Sequence, residues 1–324
     1  MKHITRFIFV AALAASAHAQ TSDTTPAASD LPRGTNPPPA PVTTSDAPDL
    51  AFGAYQRGYY VTAFKEAMTR IKANEQDAPA MTLIAQLYSE GLTVKRDLAE
   101  AARWYKLASD RGDRQATFQL AVAALEGLGI AKDKTYATQL FEKAAAQGHP
   151  GALYNLGVLA VENNGVAPDF ARAADLFRRA ALGGDADAAY SLGILYKQGK
   201  GVPHDDAQAA EWLKRAADDH NAAGMVEYAI MLFNGEGVAR DETAGAHLML
   251  KAAARNNAVA QNRIARILAA GRGLPKDMVE AMKWHLLARA AGLKDAWLES
   301  QLATLSTQEK QSVEEAVRHY VASQ

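Results

Sequence analysis

The sequence predicts an all-α solenoid of stacked helix pairs, and three observations carry the prediction. From Ala78 the chain can be cut every 36 residues without an insertion, giving 78–113, 114–149, 150–185, 186–221, 222–257 and 258–293. Small and aliphatic residues keep fixed places in these units. The third position reads Ala80, Ala116, Ala152, Ala188, Gly224 and Ala260, the seventh reads Ile84, Leu120, Leu156, Leu192, Tyr228 and Ile264, and the eighth is always Ala or Gly. A glycine-bearing turn recurs in each unit and ends on Asp97, Asp133, Asp169, Asp205, Asp241 or Asp277. A pair of helices this small cannot hide its own apolar face, so neighbours must stack and the two ends must be capped.

Taken in order, the first element is "MKHITRFIFVAALAASAHAQ". Lys2 and Arg6 give a positive start, Phe7 to Ala15 form a short apolar core, and Ala17-His18-Ala19 fits the small-x-small cleavage rule. Residues 1–19 therefore read as a secretory signal peptide, too short in its apolar part to span a bilayer. Cleavage after Ala19 leaves a net charge of −3 with histidine neutral. So mild a charge gives no reason to expect nucleic acid or an anionic membrane as the main partner. No later segment is apolar and long enough to insert in a membrane. The chain contains no cysteine, so neither disulfides nor a cysteine-borne lipid anchor is available. The expectation is a soluble periplasmic protein, with secretion into the medium as the alternative.

Residues 20–48 are nearly all Thr, Ser, Pro, Asp and Ala, with one leucine and one valine. Such a segment buries too little apolar surface to offset its ordering entropy and reads as a spacer. Residues 49–77, "DLAFGAYQRGYYVTAFKEAMTRIKANEQD", read as a degenerate first helix pair. The six units follow. Residues 294–324 supply capping helices: "DAWLES" gives a short one, and the last opens on a capping box, Ser306 with Glu309. Val313, Ala316, Val317 and Tyr320 make its apolar face.

The stretch "YKQGKGVPHDD", Tyr196–Asp206, is the one place that looks chemical. Two glycines flank a lysine, and a His-Asp-Asp run follows. The repeat gives each residue a mechanical reason instead. The first glycine position holds Gly91, Gly127, Asn163, Gly199, Gly235 and Gly271, where a helix ends in the left-handed conformation. The second holds Thr93, Gly129, Gly165, Gly201, Gly237 and Gly273, and an aliphatic residue always follows it. Asp205 stands where a second helix starts and can accept a backbone N–H there, worth about 0.5–2 kcal/mol, at the positive end of the helix dipole. A phosphate loop needs GxxxxGK[ST] after a strand, and neither is present.

Units of the form A-x-A-x(3)-L-G-x(2)-Y-x(2)-G-x-G-V-x(2)-D-x(3)-A-x(2)-W-x(3)-A-A resemble the Sel1-like repeat family. The fourth unit matches nearly throughout, with Ala188, Leu192, Gly193, Tyr196, Gly199, Gly201, Val202, Asp205, Ala209, Trp212, Ala216 and Ala217. Ala124 and Ala160 depart at the aromatic position, and Leu140, Leu176 and Leu248 at the Trp position. The resemblance implies antiparallel helix pairs in a right-handed superhelix like that of tetratricopeptide repeats. It also implies an adaptor that holds other proteins together in export or envelope pathways.

An adaptor needs a surface. At 100° per residue, unit positions 5, 9 and 12 fall on one stripe of the first helix, opposite the core positions 7 and 14. The stripe reads Thr82, Gln86 and Ser89; Phe118, Val122 and Leu125; Tyr154, Val158 and Val161; Tyr190, Ile194 and Lys197; Val226, Ile230 and Phe233; then Asn262, Arg266 and Ala269. The middle four units are apolar, which suits a concave groove for an apolar peptide or an amphipathic helix. Packing of successive first helices on one another is the other reading of the same stripe. Tyr154→Glu with Ile194→Glu separates them: a groove loses its partner, whereas a packing seam unfolds.

No catalytic, cofactor or metal site is expected. Six histidines remain after export, none with a second ligand at a metal spacing, and there is no GxSxG elbow and no cysteine nucleophile. The favoured function is a non-enzymatic periplasmic scaffold for a protein or peptide partner, regulating an envelope or signalling assembly and monomeric by itself. A cell-wall glycan binder is the alternative; it calls for exposed aromatics beside polar groups, and the apolar stripe has few. A secreted factor acting on a host is a third reading.

Overall fold

The computed structural model describes residues 49–162 and 167–323. The signal-peptide and spacer readings, with Asn163, Gly165 and Val166, lie outside these residues. Among the described residues every regular element is an α-helix, the all-α solenoid class that the periodicity predicts. The chain divides into two compact units, one up to Ala144 and one from Ala145 onward.

The first unit holds α1 (Leu50–Gln56), α2 (Tyr60–Ala73), α3 (Ala78–Glu90), α4 (Leu98–Asp110), α5 (Arg114–Glu126) and most of α6 (Lys134–Ala146). Its core joins Ala51 and Ala54 of α1, Ala63 and Ala67 of α2, and Leu83, Ile84 and Leu87 of α3. The second unit holds α7 (Pro150–Val161), α8 (Phe170–Leu182), α9 (Ala186–Gln198), α10 (Asp206–Asp218) and α11 (Ala222–Asn234). It continues through α12 (Glu242–Ala254), α13 (Ala258–Ala270), α14 (Met278–Ala290), α15 (Ala296–Thr304) and α16 (Thr307–Ala322). Val313 of α16 and Leu298 of α15 are buried with Met249, Ile264 and Met282 in one core.

The recurrent aspartates act as caps. Asp205 accepts the backbone N–H of Gln208 at 3.0 Å, and Asp97, Asp133, Asp169, Asp241 and Asp277 make the same kind of bond at the starts of their helices. The first helices carry caps too, from Asp77, Asp113, His149, Asp185, Asn221 and Asn257. His149 is thereby explained, because its Nδ1 accepts from the Ala152 N–H at 3.2 Å.

The two glycines of the turn do different things. Gly199 ends α9 in the left-handed conformation, with φ 62°, where a Cβ is disfavoured. The second glycine is needed for contact. A Cβ on Gly201 would stand 2.2 Å from the carbonyl oxygen of Phe170, the first residue of the preceding repeat's second helix. Gly237 stands in the same relation to Asp206, Gly273 to Glu242 and, in the first unit, Gly129 to Leu98. Thr93 occupies the position in the first repeat, where the element before it is the degenerate pair α1 and α2 rather than a full repeat. Gly157 and Gly193 serve a third purpose, since a Cβ there would meet the Phe177 ring at 2.5 Å or the Leu213 side chain at 2.7 Å. In these two pairs the second helix's side chain fills the space that a Cβ on the first helix would need.

Candidate protein-binding face

The candidate residues lie on the first helix of each repeat. In the first unit, α5 carries Phe118, Val122 and Leu125, all half-buried. The Phe118 ring packs on Phe141 of α6 with centroids 6.0 Å apart. In the second unit, α7 carries Tyr154 and Val158, both buried, and Val161, half-buried. On α9 Tyr190 is buried while Ile194 and Lys197 are half-buried; on α11 Val226 is buried while Ile230 and Phe233 are half-buried.

Position 5 is therefore a packing position in the second unit. Tyr154 is 8% exposed, and its ring sits 5.7 Å from that of Phe177 on its own second helix. A charge at Tyr154 strikes the core, so in the second unit the half-buried part of the stripe is Val161, Ile194, Lys197, Ile230 and Phe233. Phe233 lies against Gly245, where a Cβ would meet the ring at 2.9 Å, and Arg272 stacks over it at 5.6 Å.

The structure also adds polar groups that the 5-9-12 stripe does not contain. Lys197 Nζ donates to Glu227 Oε2 at 2.9 Å, joining α9 to α11. Asn221 Nδ2 donates to Asp187 Oδ1 at 2.6 Å across the same two helices. Burial pushes the Tyr154 hydroxyl up, and the charges of Asp187 and Asp185 push it further, while a hydrogen bond with Ser191 opposes them. Burial likewise raises Asp185 and Asp187, and it pushes Tyr190 up to about 12 with help from Glu227. Asp187, Ser191 and Glu227 occupy unit positions 2 and 6. Each neighbours the stripe by one helical step, which is the signal a wider reading of the helix face would have used.

The polar ends of the stripe have in-chain partners. In the first unit, Gln86 Nε2 donates to the Tyr55 hydroxyl of α1 at 2.6 Å. In the second, Arg266 grips Asp295 with two bonds, 2.6 and 2.8 Å, and Asn262 adds a third at 2.9 Å. Asp295 at the same time caps α15 by accepting from the Leu298 N–H. The sequence turns polar at the two ends of the stripe because terminal elements dock there.

The histidines divide by role. His204 lies 3.3 Å from Asp206 in the turn, His220 holds a left-handed φ of 68°, and His285 is buried 3.1 Å from Glu299. Among the described residues no group of three or more His, Asp or Glu side chains is placed to hold a metal ion. No helix among them is long and apolar enough to cross a membrane.

Comparison with known proteins agrees with this geometry. The family model for the Sel1 repeat matches residues 78–113, 114–149, 150–185, 186–221, 222–257 and 258–293. A Sel1 repeat protein from Oxalobacter formigenes is similar at 30% identity and a TM-score of 0.67, covering 74% of this chain and 98% of that one. A protective antigen present in uropathogenic Escherichia coli strains, displaying an SLR fold, is 24% identical with a TM-score of 0.50 over 84% of this chain and 67% of that one. At that identity the second likeness concerns the fold alone. A search of curated proteins finds no match.

Proposed function

Because the chain belongs to the Sel1 repeat family, we propose that it is a non-enzymatic scaffold that takes an apolar peptide or helix of a partner protein. Sel1 repeats generally mediate protein–protein interaction, and family members are typically scaffolds without catalytic activity. The observation that carries the finer reading is on α9 and α11. Ile194 and Ile230 stay half-buried between repeats that bury Tyr190 and Val226 beside them, and the Lys197–Glu227 pair runs alongside. Two aliphatic side chains next to a fixed ion pair suit an amphipathic helix, which buries its apolar face and reads charge at its edge.

The site of action in this reading is the periplasm, supported by Lys2, Arg6, the Phe7–Ala15 run and Ala17–Ala19 in sequence. Fractionation by osmotic shock tests it, and recovery of the chain with the cytosol sinks it. Ile194→Glu with Ile230→Glu tests the binding face. An unpaired polar group in a desolvated contact costs about 1–3 kcal/mol, so the pair is expected to lower partner affinity about 100-fold. Helical circular dichroism should stay unchanged, because both side chains are only half-buried; Ile230 rests on the edge of the core, so Ile194→Glu alone is the companion variant that keeps the binding test independent of folding. Equal capture of the same periplasmic protein by the wild type and the variant removes the partner from this face.

A further inference from the structure

We infer that the first unit carries a second binding site, for an oligosaccharide, where α1 and α2 meet α3. Three aromatic rings gather there. Phe52 is 49% exposed and lies nearly parallel to Tyr55, at 19° with centroids 6.4 Å apart; Tyr60 is tilted 60° to Tyr55 at 5.6 Å. Beside them stands a hydrogen-bonding triad. The Tyr55 hydroxyl donates to Glu90 Oε2 at 3.0 Å, and Gln86 Nε2 donates to the Tyr55 oxygen at 2.6 Å and to Glu90 Oε1 at 2.9 Å. Burial raises the Tyr55 hydroxyl, and the Glu90 charge raises it further, so Tyr55 remains a proton donor to that carboxylate across the physiological range.

The ligand class follows from this donor and acceptor balance. A carboxylate offers about four lone-pair sites, and Glu90 is exposed at the surface, so its oxygens retain capacity toward solvent. The site is thus rich in acceptors and has the half-exposed Phe52 ring at its edge. A pyranose offers both complements: hydroxyl donors around its rim, and a face of polarised C–H bonds that fits the negative face of an aromatic ring. A proline-rich peptide also likes aromatic surfaces, but proline has no N–H to give an acceptor. Small-ligand sites commonly combine aromatic walls with a few placed polar groups. No single helix holds this combination. It arises only because the terminal pair docks on the first repeat, bringing Phe52 and Tyr55 to residues about one repeat further along the chain. Resting on the periplasmic reading proposed above, the matching polysaccharide is cell-wall glycan.

The test is co-sedimentation of the full mature chain with purified peptidoglycan sacculi, with chitohexaose as soluble competitor. Phe52→Ala and Glu90→Gln are the variants, since Phe52 is exposed and neither change opens the core. We expect sedimentation of the wild type, displacement by chitohexaose, and about a tenfold loss of affinity in Phe52→Ala with melting unchanged. Absence of wild-type sedimentation overturns the proposal. So does sedimentation that chitohexaose leaves in place, which puts the contact on the peptide stems, and so does equal retention of both variants. Tighter binding of a synthetic polyproline peptide than of chitohexaose overturns the ligand class. Ile194→Glu with Ile230→Glu should sediment like the wild type, so a failure of the partner-binding face and a failure of this site are distinguishable.

Discussion

Gly237→Ala is expected to destabilise the chain by about 2–5 kcal/mol, summing about 1–2 kcal/mol for a side chain in left-handed conformation and about 1–3 kcal/mol for overpacking. Gly237 has φ +66°, and an added Cβ would stand 2.0 Å from the carbonyl oxygen of Asp206 and 2.8 Å from the Ala207 nitrogen. These are backbone atoms at the start of α10, held by the Asp205 cap, so they cannot swing aside as a flexible side chain would. The turn must lift from its neighbour, and lifting breaks the stacking on which a solenoid depends. Gly184→Ala is the control. Its φ is +94°, with no atom within 4 Å of the added Cβ, so it should lose only the conformational part. Denaturant unfolding of the two variants measures the difference, and equal losses would show that the second glycine is chosen for conformation alone.

Asp295→Ala is the second large effect. The carboxylate is almost wholly buried, with its side chain 5% exposed, and it holds α13 and α15 together. Removing it deletes a helix cap worth about 0.5–2 kcal/mol and charge-assisted bonds worth about 1.5–3 kcal/mol, leaving Arg266 unpaired. A loss of about 2–5 kcal/mol is expected. Hydrogen exchange should quicken first in Ala296–Thr304, and unchanged protection there would sink the idea. The pH dependence has a definite sign. The Arg266 guanidinium holds the Asp295 carboxyl well below the usual carboxylate range; burial opposes it, and Asn262 and the Leu298 N–H reinforce it. A depressed folded-state pKa stabilises in full above the unfolded value, near pH 4, and the contribution is lost as pH falls through the folded value. The gap between wild type and Asp295→Ala should be widest near neutrality and close in strong acid.

Most of the fold was legible in the sequence. Asp205, Gly199 and Gly201 announce a helix cap, a helix end and a tight turn because each acts through backbone within a few residues or one repeat away. Periodicity does the rest, since a residue type recurring at 36-residue spacing must meet the same neighbour each time. The candidate face was legible only as a direction. Positions 5 and 9 lie on the same stripe by helix geometry, yet Tyr154 packs on Phe177 while Ile194 keeps an open side. A helix face is a little over one residue wide at 100° per residue, and inter-helix approach decides which side of it is covered.

The sequence by itself determined the helix pairs, the caps of their second helices, their turns and the family, because those follow from local backbone chemistry repeated six times. The tertiary structure alone decided what happens where the repetition stops. Tyr55 meets Gln86 and Glu90, and Asp295 meets Asn262 and Arg266, across separations of 29 to 35 residues outside any repeated pattern. Such contacts form once in the chain, so no periodic signal marks them. They depend on side-chain direction and on how each terminal element docks, which are properties of the packed molecule.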